Sequence, residues 1–430
     1  MSIQNPSPCK GRPGRSAFGI PLFILLLGVA SCATAAPVQT VTTAINQFGL
    51  ELHRQIARPD DNTCLSPYSL QTAFAMVYAG SAGTTRREMA TVLHYPTNEA
   101  DLHEGLATLR RMLDDSIDRG GSTIVGAPSE WEPGDSSTLS VANRLFGRNG
   151  ARIRAPFLTL TRDQYGAPVE TLDFLFHTEA SRLRINTWVA EQTRNHILDL
   201  IPRGGLRLDT ELVLVNALYF RAKWDRPFQT DETHPEPFRP HGRDPVPVPT
   251  MTQEDRFGYD RRDGYTIITL PYSGRELQFV ILLPDSPAGL SDLEHQIQSH
   301  NLAACAEVPM RTLRLHLPKF RLQPESLPLQ ESMEALGLQA AFSDTADFSR
   351  MFEDAPPRKY RITKAFHKAF IELDERGTEA AAATVANIGP VSYVPPDKPI
   401  EVRVDHPFLF AIQHVPSSAC LFLGRLTDPR

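Results

Sequence analysis

Covalent hydrolysis needs a nucleophile held beside a base. Metal chemistry needs clustered histidine, cysteine and carboxylate, and nucleotide chemistry needs a glycine-rich loop after a strand. The 430-residue chain has 13 histidines and abundant serine and aspartate, yet it contains no GxSxG, HExxH, GxGxxG or Walker motif. His367, between Phe366 and Lys368 in a strand-like run, has no partner cluster and reads as a hydrogen-bonded core histidine. Cys64, Cys305 and Cys420 match no metal or redox spacing and read as buried thiols. No catalytic residue, metal site or cofactor is therefore predicted. The stretch that stands apart is DERGTEAAAAT, residues 374–384, followed by the Gly- and Pro-containing VANIGPVSYVPPDKP. Four consecutive alanines are helix-capable, but they lead into a segment too polar for a core.

The surrounding elements set the frame for that stretch. A composition that is 41% apolar and 22% charged, with a net charge of -6, fits a folded globular protein and gives no reason for a nucleic-acid partner. Lys10, Arg12 and Arg15 precede the apolar AFGIPLFILLLGVA and then small residues, so residues 1–36 read as a signal peptide. Two outcomes stay open for it: cleavage after Ala35, or lipidation of Cys32 at the lipobox-like VASC. The protein is accordingly expected to be exported, either secreted to the extracellular space or periplasm or held as an outer-membrane lipoprotein. Val41, Ile45, Phe48, Leu52 and Ile56 mark an amphipathic helix. Ser66, Pro67 and Gly80 frame a second helix, and Thr85 with Glu88 has the spacing of a capping box on a third. From about residue 139 short strands dominate, ending in two apolar runs around PSS that predict a buried hairpin. The fold class is α+β, with residues 37–430 as one domain.

The segments LSPYSLQTAFAMVYAGSAGTTRREM, VANRLF, INTWVAEQTRNHI, LVNALYFRAKWDRPF, LHLPKFRL, KAFHKAFIELDERGTEAAAAT, DHPFLFAI and FLGRLTDP occur in an order and at spacings that resemble the serpins across the mature chain. That resemblance implies about nine helices and three sheets, with an exposed reactive-centre loop at about 375–400. It also implies a monomeric suicide inhibitor of serine, or alternatively cysteine, endopeptidases that forms a covalent acyl complex. A non-inhibitory carrier or chaperone is the alternative. Arginine far outnumbers lysine, which points to a GC-rich, bacterial source. The 100–120 region mixes charge signs, so activation by glycosaminoglycans is not expected.

In such a protein the cleaved loop enters the central sheet as a strand, whose side chains alternate faces. Thr378, Ala380, Ala382, Thr384, Ala386 and Ile388 then share an inward face of small, uncharged residues. Glu379, Ala381, Ala383, Val385 and Asn387 share the other, expected to be open. With Glu375 and Gly377, the residues up to Thr384 form the implied hinge. The family spacing from Glu375 puts the attacked bond at Val391-Ser392, suited to an elastase-like pocket, with Tyr393-Val394 as the alternative because the loop is long. Carried over by motif, Trp224, Lys319 and Glu375 lie at the top of the opening, where Lys319 and Glu375 are expected to pair. Ser66, Ser69, Asn216 and His367 form a polar cluster beneath the parting strands.

Overall fold

The computed structural model describes residues 24–121, 137–240, 243–355, 359–378 and 398–430, with side chains from Ala36 onward and none for residues 120–121. Nine α-helices are formed among them: α1 (Ile24–Ile56), α2 (Pro67–Gly80), α3 (Gly83–Val92), α4 (Glu99–Gly121), α5 (Ala155–Asp163), α6 (Thr178–Gln192), α7 (Leu290–Gln296), α8 (Ser299–Ala304) and α9 (Gln330–Ala335). The first strands are β1 (Thr63–Leu65), β2 (Thr138–Arg148), β3 (Glu170–Leu172), β4 (Leu212–Lys223), β5 (Thr233–Phe238), β6 (Val246–Arg262), β7 (Tyr265–Pro271) and β8 (Leu277–Pro284). They are followed by β9 (Met310–Pro318), β10 (Phe320–Leu322), β11 (Leu327–Pro328), β12 (Ile362–Asp374), β13 (Gly377–Thr378), β14 (Ile400–Arg403), β15 (Phe408–His414) and β16 (Ala419–Leu426).

Local chemistry sets several of these boundaries. Ser66 caps α2 by accepting from the Ser69 amide at 3.1 Å, and Pro67 fills the first turn, where its missing N–H costs nothing. The expected capping box on α3 does not form, because the helix begins earlier, at Gly83 with Ala82 as its N-cap, so Thr85 lies inside the first turn, and both side chains serve tertiary contacts instead. Thr85 Oγ1 accepts from the Asp347 amide at 3.0 Å, and Glu88 accepts from the Gln339 and Ala340 amides at 2.9 and 2.7 Å. The expected terminal hairpin is present as β15 and β16. α1 runs back to Ile24, through Pro37, into the segment assigned to the leader. Residues 1–23 and the Cys32 side chain fall outside the described residues.

The expected three sheets appear as two hydrogen-bonded networks. The long strand β6 carries β7 on its last five residues and both β5 and β9 on its earlier part, so it joins two of them into a nine-stranded sheet. The other network, of seven strands, runs β10-β12-β13-β4-β2-β3 with β11 on β12. It is buried on both sides. Leu214, Leu218, Phe220 and Ala222 of β4 belong to the main core shared with α1, α2 and the larger sheet. Val213, Val215, Ala217 and Tyr219 pack under Ile185, Trp188 and Val189 of α6. This corrects the expectation of an open outer face, which is covered over much of its area and half-buried at Arg221 and Glu372 near the top and at Arg144, Lys364 and Lys368 lower down. A strand such as LVLVNALYF, apolar on both faces apart from Asn216, is what a doubly covered sheet requires.

Candidate functional site

The site grows from the end of β12. After Asp374 the chain turns, with the Arg376 amide donating to Asp374 Oδ1 at 2.9 Å. Three donors from the chain beyond β4 hold this turn. The Trp224 amide donates to the Arg376 carbonyl at 2.8 Å, and the Phe228 amide donates to the Glu375 carbonyl at 2.7 Å. The Trp224 indole N–H donates to the Asp374 carbonyl at 3.0 Å. Lys319 Nζ lies 3.0 and 2.8 Å from the two Glu375 carboxylate oxygens, and Thr233 donates to the same carboxylate at 2.8 Å. Burial pushes the Glu375 carboxyl up, but these hydrogen bonds outweigh it and leave the group below its ordinary value. Trp224, Lys319 and Glu375 are thus brought together.

Beyond the turn, Gly377 and Thr378 form β13, a two-residue strand lying between β12 and β4 and antiparallel to both. Gly377 has φ +151°, and a Cβ there would sit 2.1 Å from the Ala222 carbonyl oxygen, so glycine is required. Thr378 is fully buried, and its hydroxyl shares a 2.6 Å hydrogen bond with the Tyr272 hydroxyl. Tyr272 in turn stacks on Trp224 with ring centroids 4.6 Å apart. Sequence reasoning missed Tyr272; its only mark is a tyrosine closing an apolar strand.

Below β13 the sheet is shut. β12 and β4 pair directly and in parallel, from Ile362 opposite Leu212 to Phe370 opposite Tyr219. At mid-height one buried polar network crosses three strands. His367, Asn216 and Asn143 sit side by side in register on β12, β4 and β2. His367 Nε2 accepts from the Ser66 amide at 3.1 Å, so its proton is on Nδ1, which donates to Asn216 Oδ1. Asn216 donates to Ser69 Oγ at 2.6 Å and to Asn143 Oδ1, and Asn143 donates back to the Ser69 carbonyl at 3.2 Å. Burial holds the imidazole pKa down at about 3, so His367 is neutral. Asn143 was missed; its signal is a lone amide in SVANRLF that mirrors Asn216 in LVNALYF.

Ser66, Ser69, Asn216 and His367 therefore meet as a structural lock across the sheet. Its histidine is already committed to two partners, the Ser66 amide and Asn216. Among the described residues no group of three or more histidine, cysteine or carboxylate side chains is arranged to hold a metal ion. Cys64, Cys305 and Cys420 are free and buried. Glu379, Ala380, Ala381, Ala382, Ala383 and Thr384, and the bond candidates Val391, Ser392, Tyr393 and Val394, lie outside the described residues.

A family model described as "Serpin (serine protease inhibitor)" matches residues 43–429. The leukocyte elastase inhibitor of Sus scrofa is 36% identical over 403 residues, covering 91% of this chain and 100% of that protein. Serpin B10 of Sorex araneus is 32% identical over 404 residues, covering 91% and 100%. Among solved structures, Serpin48 of Tenebrio molitor superposes with a TM-score of 0.76 at 28% identity, covering 91% of this chain and 99% of that one. Both the match along the chain and the sheet architecture it accompanies lead to the same place: this chain belongs to the serpins, a family of protease inhibitors rather than enzymes.

Proposed function

We propose that this serpin is a suicide-substrate inhibitor of elastase-like serine endopeptidases, acting by insertion of its cleaved loop between β12 and β4. The observation that carries this is β13, which already occupies the mouth of that gap in the orientation an inserted strand needs. Its ladders pair Thr378 with Ala222 on one side and Leu373 on the other. Continued residue by residue, they set Glu379 between Arg221 and Glu372, and Thr384 between Asn216 and His367. Ile388 falls opposite Leu212, where β4 begins. At each step the new strand takes over hydrogen bonds that the parting strands give up.

The register accounts for the small side chains on both faces. Ala380 and Ala382 face the main core, and Ala381 and Ala383 face the cluster beneath α6, so neither side has room for bulk. Thr384 arrives where the His367–Asn216 hydrogen bond has to break. Its hydroxyl can accept from the imidazole N–H and donate to the amide oxygen, leaving no buried group unpaired.

In the reaction, the protease serine adds to the Val391 carbonyl and the Ser392 amine leaves with a proton, producing an acyl ester between protease and inhibitor. About 15 inserted residues at roughly 3.3 Å each carry the ester about 50 Å along the sheet. Displacement and distortion of the tethered protease then stop hydrolysis of the ester. The β-branched Val391 suits a shallow primary pocket, and the relatives named leukocyte elastase inhibitor support that class. Incubation with pancreatic elastase, chymotrypsin and trypsin, followed by denaturing gels and mass spectrometry, tests the assignment. A stable covalent complex with elastase and a released peptide beginning at Ser392 are expected. A peptide beginning at Val394 moves the bond to Tyr393, and cleavage by every protease without complex overturns inhibition in favour of a carrier role.

We also propose export, on the strength of the basic, apolar and small-residue order of the first 36 residues. The mass of the mature N-terminus checks this. Ala36 at the start indicates secretion, an acylated Cys32 indicates membrane anchoring, and an uncleaved Met1 overturns both.

A further inference from the structure

A cavity of about 280 Å³ opens behind the turn that carries the loop, between the chain following β4, the middle of β6 and the tight β7–β8 turn. Its floor is aromatic: Trp224, Phe228 and Phe257 are each at most 4% exposed. Phe228 stacks on Phe257 and meets Trp224 edge-on, with centroids 6.5 Å apart in both pairs. Its rim is built from charge. Arg226 pairs with Asp255 and Arg275 with Asp225, each at 2.8 Å. Arg275 stands at φ +59° in the β7–β8 turn, beside Gly274 at φ +85°. Arg256, also on the rim, makes no ion pair among the described residues. Three guanidinium groups thus face two carboxylates, and the mouth has an unspent positive charge above an aromatic floor.

We propose that this cavity is a binding site for a small aromatic anion, one or two fused rings bearing a carboxylate or sulfonate. The rings extend the stack begun by Trp224, Phe228 and Phe257, and the acid group pairs with Arg256 at the rim. The size sets the class: about 280 Å³ is at the lower limit of small-molecule pockets, too small for a long acyl chain or a peptide. The wall also has a second duty. Trp224 and Phe228 donate the three hydrogen bonds that hold the Asp374–Arg376 turn. A ligand that fits the cavity in this shape favours this conformation of the loop base, by its differential affinity.

The test uses the full chain and anilinonaphthalene sulfonate as the probe, with binding read by probe fluorescence and folding read by circular dichroism melts. One saturable site is expected. Met310→Trp, which fills the cavity from β9, abolishes it, and Arg256→Ala at the exposed rim weakens it about fivefold or more. Binding should also weaken as salt is raised. If Met310→Trp does not fold, Arg256→Ala decides alone. No saturable binding, or binding unchanged in folded Arg256→Ala, overturns the proposal. None of these readings uses a protease, so failure here leaves the inhibitory assignment untouched.

Discussion

Thr378 is where the proposed insertion can be tested at one side chain, because its hydroxyl is buried and answered by a single partner, Tyr272. Replacing Thr378 by Arg forces a guanidinium either into the main core without a counterion or out of the gap with the whole of β13. An unpaired buried charge costs several kcal/mol, and each 1.4 kcal/mol slows insertion about tenfold. Thr378→Arg is therefore expected to turn an inhibitor into a substrate, seen as active elastase released at a stoichiometry where the parent protein leaves none. The same change at Glu379, whose level in the sheet is half-buried between Arg221 and Glu372, should leave the stoichiometry near that of the parent. A complex formed as efficiently by Thr378→Arg as by the parent would contradict the insertion register. Tyr272→Phe is the gentler probe. It strands the threonine hydroxyl at a cost of about 1–3 kcal/mol, so amide exchange at Gly377 and Thr378 should quicken by roughly tenfold or more while the global melt moves little.

At the scale of elements, the lock across β2, β4 and β12 makes the central sheet sensitive to acid. His367 has a pKa of about 3 in the fold, against an ordinary value near 6.5, because burial disfavours its charged form. His414 is lowered in the same way to about 4. A group with a depressed folded pKa takes up its proton first in the unfolded chain. Stability is therefore complete above about pH 6.5 and is lost progressively as pH falls toward 3, by several kcal/mol for the pair. Thermal melts at pH 7, 5 and 4 should show a falling midpoint, with a shallower fall in His367→Gln; a midpoint that rises on acidification would refute the assignment. Much of this level was legible beforehand. Ser66 and Pro67 announce α2, PSS announces the hairpin, and the polar cluster followed from motif. Asn143 was not legible, since its role depends on standing in register with Asn216, some 70 residues away in the chain. The capping box at Thr85 and Glu88 failed because the helix starts at Gly83, earlier than the spacing suggested, which leaves both side chains free to accept from distant backbone amides. The second buried face was missed although the near-continuous apolar run of β4 signals it, because nothing in that run says that α6 is what lies across it.

For the whole molecule, the direct β12–β4 pairing is what the proposed insertion would have to open. Inserting a strand exchanges one ladder for two, a net gain of roughly ten hydrogen bonds at about 1 kcal/mol each. Against an unfolding entropy of about 0.8 kcal/mol/K for a domain this size, that corresponds to a midpoint higher by about 10 °C. Melts before and after limited proteolysis in the loop should show such a rise; an unchanged or lowered midpoint would mean that the cleaved loop stays out. The two paired residues of β13 also bear on rate. In any zipper the first rungs are the improbable ones, since they fix backbone before there is a ladder to extend. Here those rungs exist before a protease arrives. On the proposed insertion mechanism closure is thus already nucleated, and the loop's race against ester hydrolysis becomes one of propagation past the level of Asn216 and His367.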